Sequence, residues 1–209
     1  MIKNIIFDMG NVLIYFDRER FIRRLGVSAE DEKLLMNQVF LSLEWARLDR
    51  GSLTDAEAAD IICARLPEHL RDAGRELVFL WNRPLIPVEG MYELIEELKA
   101  AGYGIYLLSN ASLRQKEYWP EIPCYRFFDG TLVSADVKLI KPQAEIYRLL
   151  FEKFSLKPEE CFFVDDSPLN IEGAFYCGMP GAVFHDDVAE LRQVMRMQGI
   201  WVSERGQMK

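Results

Sequence analysis

A chain of 209 residues, half of them hydrophobic and 28% charged, is long enough to bury a sizeable core without disulfide or metal staples. Its formal net charge of −8 and the absence of a basic stripe speak against nucleic acid as a main partner, and no apolar stretch is long enough to cross a membrane. The cysteines, Cys63, Cys124, Cys161 and Cys177, show neither close pairing nor finger-type spacing; this pattern, with no secretory leader, leads us to expect reduced thiols and a cytoplasmic address.

The first predicted strand, Ile5-Ile6-Phe7, is a short apolar run that stops at Asp8 and is followed at once by Met9-Gly10-Asn11. Runs bounded in this way read as strands buried on both faces, typical of parallel sheets covered by helices. Ligands of open α/β sheets sit beyond the carboxyl ends of the strands, so Asp8 stands where chemistry occurs. The competing use of such an Asp is to cap a turn. Ile14 to Asp17 predicts the closure of a short hairpin. From Arg18 to about Arg83 the apolar residues recur at helical spacing, and about four short helices are expected with no strand. Ser28 is an N-cap candidate with Asp31 three residues on, and Thr54 is another, with acidic residues in the turn after it.

Met91 to Ala101 predicts an amphipathic helix closed by Gly102. Ile105 to Leu108 predicts a second buried strand, ending in Ser109-Asn110. A helix from about Ser112 to Trp119 and a third strand within Phe127–Val133 follow. Lys141-Pro142 opens a helix with Pro at its first position. Cys161 to Val164 is a further apolar run ending in carboxylates, Asp165 and Asp166. Leu169–Tyr176 reads as a helix, Gly181–Phe184 as a fifth strand and Val188–Met197 as a last helix, with a polar, frayed tail from Ser203. Strands alternating with helices imply an α/β fold with a Rossmann-like parallel sheet and right-handed crossovers. The expected core is residues 1–16 and 86–209, with a small helical cap, residues 17–85, inserted after the first strand.

Asp8, Ser109-Asn110, Lys141 and Asp165-Asp166 therefore fall at strand ends or at helix starts near them. In that order, and with the neighbours FDMGNVL, LLSNAS, KPQAEIY and FFVDDSPLNIEGA, they resemble the haloacid dehalogenase superfamily over the whole chain. Within it the chain is most similar to the bacterial glucose-1-phosphate phosphatases, which share a small helical cap, a DxGNV-type first motif and a W-P segment, here Trp119-Pro120. The resemblance implies that Asp8 is a nucleophile forming an aspartyl-phosphate. It implies Mg²⁺ held by Asp8, the backbone carbonyl of Gly10 and Asp166, with Asp165 behind or bound through water. Lys141 would screen the nucleophile and the phosphate, Lys138 being the competing candidate. Ser109 and Asn110 would bind phosphate oxygens. Asn170 would orient the metal carboxylates. The competing use of Asp165-Asp166 is to cap the helix near Pro168, and on residues alone Ser109-Asn110 read equally as a turn.

One position departs from the phosphatase pattern. Most phosphatases of the superfamily carry an acid/base Asp two residues after the nucleophile, and Gly10 stands there. Losing such a group typically removes about 10²–10⁴-fold in rate. Three readings stay open: a substrate with a good leaving group, such as a sugar-1-phosphate; metal-independent dehalogenation of a 2-haloacid; or non-catalytic binding of a phosphorylated ligand or partner. Candidates for a substitute acid are His185, Glu44 and Asp49. The cap aromatics Phe21, Phe40, Trp45, Phe79 and Trp81 either face the substrate or fill the core. The expectation is a Mg²⁺-dependent phosphomonoester hydrolase acting on a small phosphorylated metabolite, as a monomer or homodimer.

Overall fold

The computed structural model describes residues 1–202, and the tail predicted to fray from Ser203 lies outside the described residues. Five strands form one parallel sheet: β1 (Asn4–Phe7), β2 (Gly104–Ser109), β3 (Gly130–Val133), β4 (Cys161–Asp165) and β5 (Gly181–Val183), in the spatial order β3-β2-β1-β4-β5. Each predicted apolar run thus becomes a strand. Their side chains alternate between two cores. Ile5, Phe7, Ile105, Leu107, Phe162 and Val164 belong to one, and Ile6, Leu108, Leu132, Cys161 and Phe163 to the other. A sheet buried on both faces needs just such continuous apolar runs.

The insert that follows β1 carries five helices: α1 (Arg18–Arg23), α2 (Ala29–Leu35), α3 (Leu43–Arg50), α4 (Asp55–Arg65) and α5 (Arg71–Leu80). A π-turn, Met36–Phe40, and a 3-10 turn, Glu68–Leu70, fill the joints. Ser28 accepts a hydrogen bond from the Asp31 amide, and Thr54 forms a reciprocal capping box with Glu57. After β1 no hairpin forms. Ile14 makes isolated bridges to Gly10 and Pro87, and Asp17 caps α1. The chain therefore leaves the sheet and returns to it at one edge of the insert.

The remaining helices are α6 (Met91–Ala100), α7 (Gln115–Tyr118), α8 (Ser134–Val137), α9 (Ala144–Phe154), α10 (Pro168–Tyr176) and α11 (Val188–Met197). The helix expected over Ser112–Trp119 is shorter: the Arg114 amide donates to Ser112 Oγ in a turn, α7 starts only at Gln115, and a 3-10 turn, Trp119–Glu121, with Pro120 inside it, follows. Pro142 is not the first residue of a helix. It follows a cis peptide from Lys141, and α9 starts at Ala144 after Gln143. Ser109, Asp165 and the residues just past β1 all lie at the carboxyl edge of the sheet. Neighbouring strands depart to opposite sides of β1, the switch-point geometry that opens a crevice there. Among the described residues no helix is long and apolar enough to cross a membrane.

Candidate active site

The parallel register builds the site. Phe7 pairs with Leu107 on one side and Val164 on the other, so Asp8 and Asp165 emerge side by side. The Asp8 amide donates to the Val164 carbonyl at 2.8 Å, which fixes the carboxylate at the strand end. Asp166 is the next residue after β4. Carboxylate oxygens of Asp8, Asp165 and Asp166 come within 4.8 Å of one another.

Lys141 enters this cluster from below. Its side chain is 1% exposed, and its Nζ lies 2.8 Å from Asp8 Oδ1 and 2.6 Å from Asp165 Oδ2. The ammonium also donates to the Leu108 carbonyl at 2.9 Å. The turn that carries it is held by Asn110, whose Oδ1 accepts from the Lys141 amide at 2.8 Å and whose Nδ2 donates to the Lys141 carbonyl at 3.1 Å. Burial alone works to lower the Lys141 pKa, but the adjacent Asp8 and Asp165 outweigh it and hold the ammonium above its ordinary value. Lys138 sits outside this arrangement, exposed and left-handed after α8.

Asp165 is fully buried and fully engaged. Its Oδ1 accepts from the Ser167 amide at 2.8 Å and from Asn170 Nδ2 at 2.9 Å, while Oδ2 takes the Lys141 contact. Asn170 is itself anchored, its carbonyl accepting from the Tyr147 hydroxyl at 2.7 Å. The N-cap of α10 is Ser167, so neither Asp165 nor Asp166 occupies the cap position. Asp166 reaches the cavity instead, with Asn11 Nδ2 donating to its Oδ2 at 2.9 Å.

A cavity of about 240 Å³ opens above this floor. Asp8, Gly10, Asn11, Asn110 and Asp166 line it from the sheet side. Arg18, Trp45, Asp49 and Trp81 line it from the insert side, with Phe16 and Tyr118 between. Phe21 and Phe40 are buried behind this wall against Phe16, and Phe79 packs against Arg114 instead. Ser109 closes β2, 1% exposed beneath the cavity and not part of its lining. Glu44 pairs with Arg65 at 2.5 Å, and that hydrogen bond holds its carboxyl below the usual range. His185 lies exposed by a separate cleft past β5. Asn11 and Arg18 were given no role from the sequence. Asn11 adopts φ 54, a conformation Asn tolerates well, and its Oδ1 accepts from the Phe16 amide. That Asn follows Gly10 was its signal. Arg18 had none, because a charged residue opening an exposed helix is ordinary.

The donor set fits a hard cation. Asp8 Oδ1 is buried and makes no aligned hydrogen bond, since the Lys141 ammonium touches it off-axis. Burial pushes the Asp8 carboxyl up to about 6; Lys141 works against that rise and Asp165 adds to it. Further positive charge beside it would draw the Asp8 carboxyl back toward its ordinary value. Asp8 and Asp166, with Gly10 beside them on the wall, offer oxygen ligands of the kind Mg²⁺ takes.

Known proteins match this frame. The family model of haloacid dehalogenase-like hydrolases aligns with residues 2–178. The sesquiterpene phosphatase astK of Aspergillus oryzae is 29% identical over 205 residues, 92% of this chain and 96% of its own. The D-ribitol-5-phosphate phosphatase of Bacteroides thetaiotaomicron is 25% identical over 184 residues, 82% of this chain and 86% of its own. A HAD family enzyme from the same bacterium, solved in complex with magnesium and inorganic phosphate, superposes with a TM-score of 0.68 at 26% identity, over 91% of this chain and 99% of the other. The match runs from β1 through α10 and so takes in every carboxylate and the ammonium of the cluster. The chain belongs to the haloacid dehalogenase-like hydrolases.

Proposed function

We propose that this hydrolase is a Mg²⁺-dependent phosphomonoesterase acting through an aspartyl-phosphate on Asp8. Its substrate is a small phosphorylated metabolite, with sugar-1-phosphates of the glucose-1-phosphate kind first. One observation carries the reading: three carboxylates converge around one buried ammonium on the floor of an aromatic-walled cavity. A carboxylate oxygen of Asp8 bonds to phosphorus, the ester oxygen departs, and water later cleaves the aspartyl-phosphate. Lys141 offsets the repulsion between Asp8 and the phosphate dianion. Asn110, by gripping the Lys141 peptide, keeps that ammonium in place. Asp8, Asp166 and the Gly10 carbonyl would hold Mg²⁺, which supplies charge neutralisation at the phosphoryl oxygens when bound. Phe16, Trp45 and Trp81 offer flat apolar surfaces for the body of the substrate. The phosphatases among its relatives act on a sugar-alcohol phosphate and on a sesquiterpene, by their names, and support the phosphomonoester reading.

Metal-independent dehalogenation is the second reading, and Gly10 is the observation that favours it, since a departing halide needs no proton. Asp166, aimed into the cavity beside Asp8, weighs against it. Phosphate release from a panel of sugar phosphates and other phosphometabolites tests the choice. Release is expected with Mg²⁺, is expected to vanish with chelator, and is expected to fall at least about 10³-fold in Asp8→Asn. No release from any member, in folded protein, together with turnover of 2-haloacids in chelator, would select the dehalogenase.

A further inference from the structure

Gly10 leaves the departing ester oxygen without a proton donor on the sheet side of the cavity. Resting on the phosphatase reading above, we propose that Asp49, carried by the helical insert, is the catalytic acid and base of this protein. In the first step an Asp8 oxygen bonds to phosphorus and the phosphorus–ester oxygen bond breaks. The Asp49 carboxyl gives its proton to that oxygen, so the product leaves as a neutral alcohol and Asp49 becomes a carboxylate. In the second step Asp49 takes a proton from water as the water oxygen bonds to phosphorus. The bond from phosphorus to Asp8 breaks, phosphate leaves, and both side chains return to their starting states.

Three observations carry the assignment. Among the carboxylates that line the cavity, Asp8 is the nucleophile and Asp166 is tied to Asn11, while Asp49 stands on the insert side with Trp45 and Trp81. Its carboxyl takes no hydrogen bond among the described residues, yet its backbone is pinned to the core. Ser134 Oγ donates to the Asp49 carbonyl. Two residues on, Gly51 at φ 70 presses so close to Ala135 that a Cβ there would lie 2.2 Å from the Ala135 carbonyl oxygen. A fixed backbone with an unengaged carboxyl is what a group reserved for the substrate requires. The sequence candidates Glu44 and His185 fail on geometry: the first is bound to Arg65, the second stands by another cleft.

The surroundings suit a proton carrier. Burial pushes the Asp49 carboxyl up to about 8; Arg18 and Lys141 oppose the rise, while Asp8 and Asp55 add to it. The position left empty by Gly10 is also refillable, because a Cβ there would meet only Phe16 Cβ, at an ordinary 3.6 Å.

The test compares kcat/KM for an alkyl phosphate with that for an aryl phosphate whose phenol is acidic and departs without help. Asp49→Asn is expected to lose about 10²–10⁴-fold on the alkyl ester. The loss on the aryl ester is expected to be at least tenfold smaller, and adding Gly10→Asp is expected to restore at least tenfold on the alkyl ester. Equal losses on both esters, or undiminished alkyl turnover, would overturn the assignment alone. The wild type supplies a check that needs no variant: across a series of esters its rate is expected to depend weakly on leaving-group basicity, and a steep dependence would overturn the proposal. No Asp8-dependent release by the wild type would instead remove the phosphatase reading, and this assignment with it.

Discussion

Two carboxylates in the cavity, Asp8 and Asp49, are held above the ordinary value of 3.8, at about 6 and about 8. In both, burial is the largest cause, so the folded protein favours their protonated forms. The sign for stability follows. Between about pH 4 and pH 8 these two groups bind more protons in the folded state than in the unfolded one, so the stability they contribute in the metal-free protein is fully present below this window and is lost as pH rises through it. Urea denaturation in chelator is expected to give a lower midpoint at pH 8 than at pH 5. Asp49→Asn cannot ionise and is expected to recover at least about 1 kcal/mol at pH 8, with little change at pH 5. Asp8, Asp165 and Asp166 were legible in the sequence because they follow apolar runs at strand ends, where their order and neighbours outweighed the capping use of an Asp. Lys141 was legible only through its motif, since a Lys before a helix is ordinarily a surface residue. Which of the candidate acids reaches the cavity was not legible, because that depends on how the insert folds back over the sheet.

The elements that set this fold-back are short. The end of α3 meets the start of α8 through Gly51, whose left-handed φ and close approach to Ala135 leave no room for a side chain. Gly51→Ala is expected to cost more than the roughly 1 kcal/mol of a left-handed Ala and to lower kcat/KM at least tenfold by lifting α3 away. Gly102 provides the control. It too is left-handed, at φ 92, but a Cβ there meets nothing within 4 Å. Gly102→Ala is expected to cost only about 1 kcal/mol and to leave kcat/KM in place. Melting curves and steady-state kinetics on the two variants separate the contact from the backbone strain. Strands and long helices were readable here from period and caps. The π-turn at Met36–Phe40, the truncated α7 and the turn at Lys141-Pro142 were not, since each lies in a stretch too short to show a period. At Pro142 a second constraint intervenes: Gly173 of α10 packs so near that a Cβ would lie 2.9 Å from it.

Across the whole molecule, charge is drawn to the carboxyl edge of the sheet and apolar mass to both faces. The α/β class followed from the order of predicted elements. The position of β1 in the middle of the sheet is a matter of pairing between distant segments, which no local pattern encodes. Because the carboxylates repel one another in the folded state and not in the unfolded chain, a cation bound there is linked to folding. Mg²⁺ at 100 times its dissociation constant is expected to add roughly 2.7 kcal/mol of stability, visible as a rise in Tm. Asp166→Asn is expected to abolish most of that rise while leaving the metal-free Tm unchanged or higher.

Ser134 gives the motion of the insert an uncommon economy. Its hydroxyl accepts from the Ala111 amide at 2.9 Å and donates to the Asp49 carbonyl, and the Ala111 carbonyl waits 3.3 Å away as a second acceptor. An outward swing of the insert would let the hydroxyl rotate onto that spare acceptor. Unlatching would then exchange one partner for another, leaving no proton stranded in an apolar interior. Ser134, bonded to Ala111 just past Ser109-Asn110, would thus serve as both the keeper and the release of the door.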